Sequence, residues 1–169
     1  MSALAALSAA KAAGVKLTLD GDGIIIETKT PPLPADLVAL LKASKPSIMH
    51  VLELREAARD AIAASPPPDC EGRLSPPGPY GVRRPVWDIA KDGLRRFCSE
   101  GWADQAAMLG WTKDELYRVP PLWSQIWLIG AALMIGERKV IAVTADNIVV
   151  ETAAGSQLKF RRLGREHIA

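Results

Sequence analysis

Seven of the chain's thirteen prolines fall between residues 65 and 85, at Pro66, Pro67, Pro68, Pro76, Pro77, Pro79 and Pro85. Proline fixes φ and carries no backbone donor, so neither a helix nor an internal strand can run through such a stretch. It reads as a semi-extended linker of about 20 residues, either a plain spacer or a ligand for a proline-binding module. The 169 residues then divide into a first module at 1–64, a linker at 65–86 and a second module at 87–169. The chain is 49% apolar and 24% charged, which is globular rather than disordered composition.

Residues 2–13 carry Leu4, Leu7 and Ala10 at helical spacing, and Gly14 is a natural stop. Val15-Lys16-Leu17-Thr18-Leu19 alternates strictly, the pattern of a half-buried strand. Asp20-Gly21-Asp22-Gly23 supplies a turn, and Ile24-Ile25-Ile26-Glu27-Thr28 the β-branched return strand. Pro31, Pro32 and Pro34 end the hairpin and lead into a helix with Leu37, Leu40 and Leu41 on one face. Ser44 and Pro46 start another helix, striped by Ile48, Val51, Leu52, Ala58 and Ile62.

In the second module, residues 87–102 predict a helix with Ile89, Leu94, Phe97 and Cys98 inward and a bend at Gly101. A second helix follows at 103–109. Gly110-Trp111-Thr112 is a turn, and Thr112 with Glu115 three places on forms a capping box for a short helix through Tyr117. Beyond it, apolar runs at 132–135, 139–144, 148–151 and 157–162, separated by turn residues, predict an antiparallel meander. Residues 123–129 fit a helix or a strand equally well. The expected class is α+β: helix–β-hairpin–helix–helix, a proline-rich linker, then helices followed by a small antiparallel meander.

Reactive constellations are sparse. The two histidines, His50 and His167, read as solvated or structural, and no pattern of cysteine and histidine has zinc-ligand spacing. Neither a phosphate-binding nor a dinucleotide-binding glycine motif is present. Asp20-Gly21-Asp22-Gly23 imitates half of a calcium loop, but the twelfth position is Pro31 where a glutamate is needed. An enzyme would need Cys98 as nucleophile beside a histidine, or Asp88 and Asp92 in a cleft. The expectation is a non-enzymatic protein with no metal and no cofactor.

A net charge of +2 forces neither a nucleic-acid nor a membrane partner. The longest apolar run, 126–136, is shorter than the roughly 20 residues of a membrane span. Cys70 and Cys98 read as reduced thiols, and the first residues lack the basic start of a secretion signal. A cytoplasmic protein without membrane contact is expected. The five tryptophans, Trp87, Trp102, Trp111, Trp123 and Trp127, all follow the linker and read chiefly as core, with Trp111 in its turn the most exposed.

Residues 103–118 have the outline of a helix-turn-helix, although Asp114 and Glu115 on the second helix would repel phosphate. An alternative function follows: a nucleic-acid-binding accessory protein. It would use Lys113 and Arg118 with the basic tail Lys159, Arg161, Arg162 and Arg165.

The first module resembles a known family. The residues are Leu4-x-x-Leu7, Gly14-Val15-x-Leu17-x-Leu19, Asp20-Gly21-Asp22-Gly23-Ile24, and Leu33-x-x-x-Leu37-x-x-Leu40-Leu41-x-x-x-Lys45-x-x-Ile48-x-x-x-Leu52. Over residues 2–54 they look like the TubC-type N-terminal docking domain of nonribosomal peptide synthetase and polyketide synthase assembly lines. The resemblance implies a helix–hairpin–helix–helix fold, often a homodimer, whose hairpin receives a short segment of a partner protein. Carried onto this chain, the receiving strand is at 24–29, with Lys16, Thr18, Ile24, Ile25, Glu27 and Lys29 as the contact residues. No condensation or adenylation domain follows within the chain. The tryptophan-rich module instead resembles small alphaproteobacterial proteins of no assigned activity, some carried near mobile elements. The expected role is a docking or adaptor protein. Three consecutive isoleucines cannot all face one side of a strand, so Ile25 is expected to point outward.

Overall fold

A computed structural model describes residues 2–65, 72–75, 77, 80–117, 139–151 and 154–162. The architecture is mixed α+β. It runs α1 (Ala3–Ala12), β1 (Val15–Asp20), β2 (Gly23–Thr28), α2 (Ala35–Ala43), α3 (Lys45–Ala63), α4 (Val86–Ser99), α5 (Trp102–Met108), α6 (Lys113–Tyr117), β3 (Lys139–Val143), β4 (Asn147–Glu151) and β5 (Gln157–Arg161). The chain divides into two compact units, Met1–Glu56 and Ala57–Ala169, and the division falls inside α3.

In the first unit Ser2 caps α1, its hydroxyl accepting from the Ala5 amide at 3.3 Å. The face that α1 buries is Ala3, Ala6 and Ala10, whereas Leu4 and Leu7, expected inward, are only half-buried. Alanine brings a helix axis close to its neighbours; here α1 packs on α2 and β1. β1 and β2 form a two-stranded antiparallel sheet with Asp20 opposite Gly23. Gly21, at φ +55°, takes the left-handed conformation that a two-residue hairpin turn requires. Leu37 and Leu41 of α2 are buried, as are Ile48, Val51, Leu52 and Leu54 of α3.

The second unit begins with the last turns of α3, where Ala58 and Ala61 are buried. The expected long helix is two. α4 ends at Ser99, and Gly101, at φ +84°, starts α5 rather than bending a continuous helix. A residue in the left-handed region cannot sit inside a right-handed helix, which is why the chain breaks there. α4 buries Trp87, Ile89, Ala90, Leu94 and Phe97, and Trp87 donates from Nε1 to the Ala64 carbonyl at 3.2 Å. Within the proline-rich stretch, the described residues around Ser75 pair with those around Pro85. Ser75 donates its amide to Arg84 at 2.7 Å, Val86 donates to Arg73 at 2.9 Å, and Leu74 bridges Pro85.

β3, β4 and β5 form an antiparallel sheet in that order, with a register irregularity between Val140 and Ala142. In the central strand β4, Ile148, Val149 and Val150 are all buried. The expectations at 123–129 and 132–135 lie outside the described residues. Among the described residues, no helix is long and apolar enough to cross a membrane.

Candidate docking surface

Register sorts the hairpin side chains into two sets. Lys16 stands opposite Glu27 and Thr18 opposite Ile25 on one face, while Leu17 stands opposite Ile26 and Leu19 opposite Ile24 on the other. Four of the expected contact residues, Lys16, Thr18, Ile25 and Glu27, therefore share a face. Ile25 is 45% exposed there, as the alternation required. Lys16 Nζ lies 3.5 Å from Glu27 Oε2, a solvated cross-strand pair of small energetic weight. Ile24 belongs to the opposite face, and Lys29 lies beyond the end of β2, exposed.

The opposite face is not sealed either. Ile26, which should lie under α2, is 43% exposed. It borders a groove of about 190 Å³ lined by Leu17, Ile24, Ile26, Val38, Leu41, Lys42 and Lys45. Val38, Lys42 and Lys45 were not expected from sequence as contact residues. Their spacing is a signal, since Val38 and Lys42 are one helical turn apart on α2; what it lacks is any indication that this stripe faces the hairpin. Among the described residues, each strand of the sheet also keeps one edge without a strand partner, where an added strand could find backbone donors and acceptors.

Lys113 is exposed on α6 beside Asp114, and Lys159 and Arg161 are exposed on β5. Arg162 is turned into the protein. Its Nε donates to Glu115 Oε1 at 2.8 Å, Nη2 to the Gly110 carbonyl at 2.9 Å and Nη1 to the Ala145 carbonyl at 3.3 Å. Its guanidinium carbon lies 5.3 Å from the centre of the Trp111 ring. Arg118 and Arg165 lie outside the described residues.

Trp111 corrects a sequence expectation. It is 1% exposed rather than the most exposed tryptophan. Its Nε1 donates to the Thr144 carbonyl at 2.9 Å, and Arg162 lies over the ring. The capping box is present: the Thr112 amide donates to Glu115 Oε2 at 2.7 Å and the Glu115 amide to Thr112 Oγ1 at 3.3 Å. Burial pushes the Glu115 carboxyl up, but the bonds from Arg162 and Thr112 outweigh it and hold the group below its ordinary value.

Of the possible catalytic groups, Cys98, Asp92 and His50 have neighbours among the described residues. Burial pushes the Cys98 thiol up to about 11, which disfavours the nucleophilic thiolate at neutral pH. Its neighbour is the Tyr117 hydroxyl, itself buried and raised by desolvation. Asp92 receives Arg95 at 2.8 Å and also Arg84. The Arg84 hydrogen bond is the larger cause of a lowered carboxyl. His50 Nδ1 lies 3.9 Å from Glu53 on α3, and His167 is outside the described residues. Among the described residues, no three histidine, cysteine or carboxylate side chains gather in a way that could hold a metal ion.

No protein-family model matches this chain, and no curated protein or solved structure matches it.

Proposed function

We propose that this chain is a non-enzymatic docking protein of the cytoplasm whose N-terminal hairpin receives a short extended segment of a partner protein. The observation that carries this reading is the pair of exposed isoleucines on opposite faces of one two-stranded sheet, Ile25 and Ile26. Leaving such a side chain in water forgoes roughly 1 to 2 kcal/mol of burial, and a two-stranded sheet is marginal by itself. An added strand relieves both conditions. It hydrogen-bonds to an open edge, and its alternate side chains fall into the groove on one side and beside Ile25 on the other. The resemblance to assembly-line docking domains supports the same role for residues 2–54, and it makes a second copy of the chain a competing occupant of the same edge.

The test uses the full chain and its Ile26→Lys variant as baits for proteins of the native host. A protein retained by the wild type and lost on the variant must then bind again when both components are purified. Retention that does not distinguish the two baits overturns the hairpin as the docking element.

A further inference from the structure

Lys42 is the penultimate residue of α2, and Lys45 is the first residue of α3. Both are exposed, and both line a groove whose other walls are the apolar side chains of Leu17, Ile24, Ile26, Val38 and Leu41. Neither ammonium group forms an ion pair with a described residue, in contrast to Lys16, which has Glu27. The first turn of α3 carries no acidic residue that would offset them. The groove is therefore apolar along its length and cationic where α2 meets α3.

We propose that this groove selects extended segments in which a carboxylate follows closely on apolar residues, and that Lys42 and Lys45 are the groups that read the carboxylate. The proposal rests on the docking reading and goes further, to the chemistry of the partner. Apolar contact supplies most of the affinity, as in other peptide grooves. The charge supplies discrimination, because a segment with lysine at that place sets like charges together. A solvated lysine–carboxylate pair by itself contributes little. Two lysines, partly dried by the occupant, correspond to about tenfold between a carboxylate and its amide.

The experiment presents the purified full chain to a random 12-residue peptide display library. It repeats the selection with the Lys42→Glu/Lys45→Glu double variant and with Lys11→Glu, a charge change on α1 outside the groove. The expected result is enrichment of apolar segments bearing aspartate or glutamate, a swing to lysine or arginine with the double variant, and no change with Lys11→Glu. A selected peptide should bind about tenfold more weakly when its carboxylate is replaced by the amide. Both variants alter exposed side chains, and their far-ultraviolet circular dichroism should match the wild type. If peptides are enriched with no acidic preference, and Ile26→Lys abolishes their binding, the carboxylate proposal falls and docking stands. If nothing is enriched over an empty matrix, the docking reading falls and takes this proposal with it.

Discussion

Two strands of this protein carry three β-branched aliphatic residues in a row, and the protein treats them differently. In β4, Ile148-Val149-Val150 sits in the centre of a three-stranded sheet and all three side chains are buried. In β2, Ile24-Ile25-Ile26 belongs to a two-stranded sheet with open edges, and Ile25 and Ile26 remain in contact with solvent. Cations follow the same division. Arg162 spends its donors on Glu115, Gly110 and Ala145, whereas Lys42 and Lys45 stand at a groove without ion partners among the described residues. A β-branched run announces a strand but leaves open whether one face or both will be covered. Where the fold covers both, the residues are core; where it leaves them open, they stay in contact with water.

Of the conservative truncations and fillings, the largest effect is expected at the sealed site. Trp111→Ala removes a ring that is 1% exposed, the bond to the Thr144 carbonyl and the surface beneath Arg162. Such truncations cost about 3 to 5 kcal/mol. Urea denaturation followed by near-ultraviolet circular dichroism should show the loss. A change below about 1 kcal/mol would mean that Trp111 is not the keystone of its corner.

Arg162→Ala comes next, at about 3 kcal/mol, because it leaves the Glu115 carboxylate, 5% exposed at its side chain, without its guanidinium. The pH dependence has a definite sign. Glu115 has a folded-state pKa below its ordinary value, so its contribution is fully present above the ordinary carboxylate range. It is lost as pH falls through the depressed folded value. Denaturation midpoints measured from neutral to acidic pH should fall less steeply in Glu115→Gln than in the wild type. Parallel curves would show that the Arg162 pair is not what holds that carboxyl down.

How far these features were legible depends on the range of the contacts that make them. The hairpin turn at Asp20-Gly21-Asp22-Gly23, the capping box of Thr112 and Glu115, and the outward Ile25 depend on residues a few positions apart, and each was readable from local pattern. Trp111 was misjudged because two groups that contact it, Thr144 and Arg162, come from distant positions just past the ends of β3 and β5. A turn position viewed alone looks exposed. Leu4, Leu7 and Ala10 marked one helical stripe, but of these only Ala10 is buried, with Ala3 and Ala6, because the close packing of α1 favours alanine at the contact. The groove escaped notice for a similar reason: Val38, Lys42 and Lys45 become neighbours of Ile24 and Ile26 only once α2 lies against the hairpin.

The alanine stripe provides the third effect. Ala6 is fully buried on α1, and a larger side chain there must push α1 off its neighbours. Ala6→Leu should cost about 1 to 3 kcal/mol by overpacking, although leucine is nearly as good a helix former as alanine. Thermal unfolding of the variant measures it. An unchanged midpoint would show that the first unit has slack where its burial implies contact.

The smallest expected effect on stability is the one that tests the proposed docking role. Ile25 makes little use of its side chain within the chain, since almost half of it is in water. Ile25→Lys should therefore alter stability by no more than about 0.5 kcal/mol. Lysine also keeps a long apolar stem that can lie along the strand. Ile148→Lys at the sealed run should abolish folding, because an unpaired ammonium cannot be buried there. The comparison is sharpest when Ile25→Lys is measured twice, by denaturation and by light scattering. A retained midpoint with a smaller mass in solution means that Ile25 faces a second copy of the chain. A retained midpoint and mass, with loss of a captured partner protein, means that it faces that partner. If stability, mass and partner binding all match the wild type, the exposed isoleucine of β2 has no role in association, and the contrast with β4 records only an uncovered sheet face.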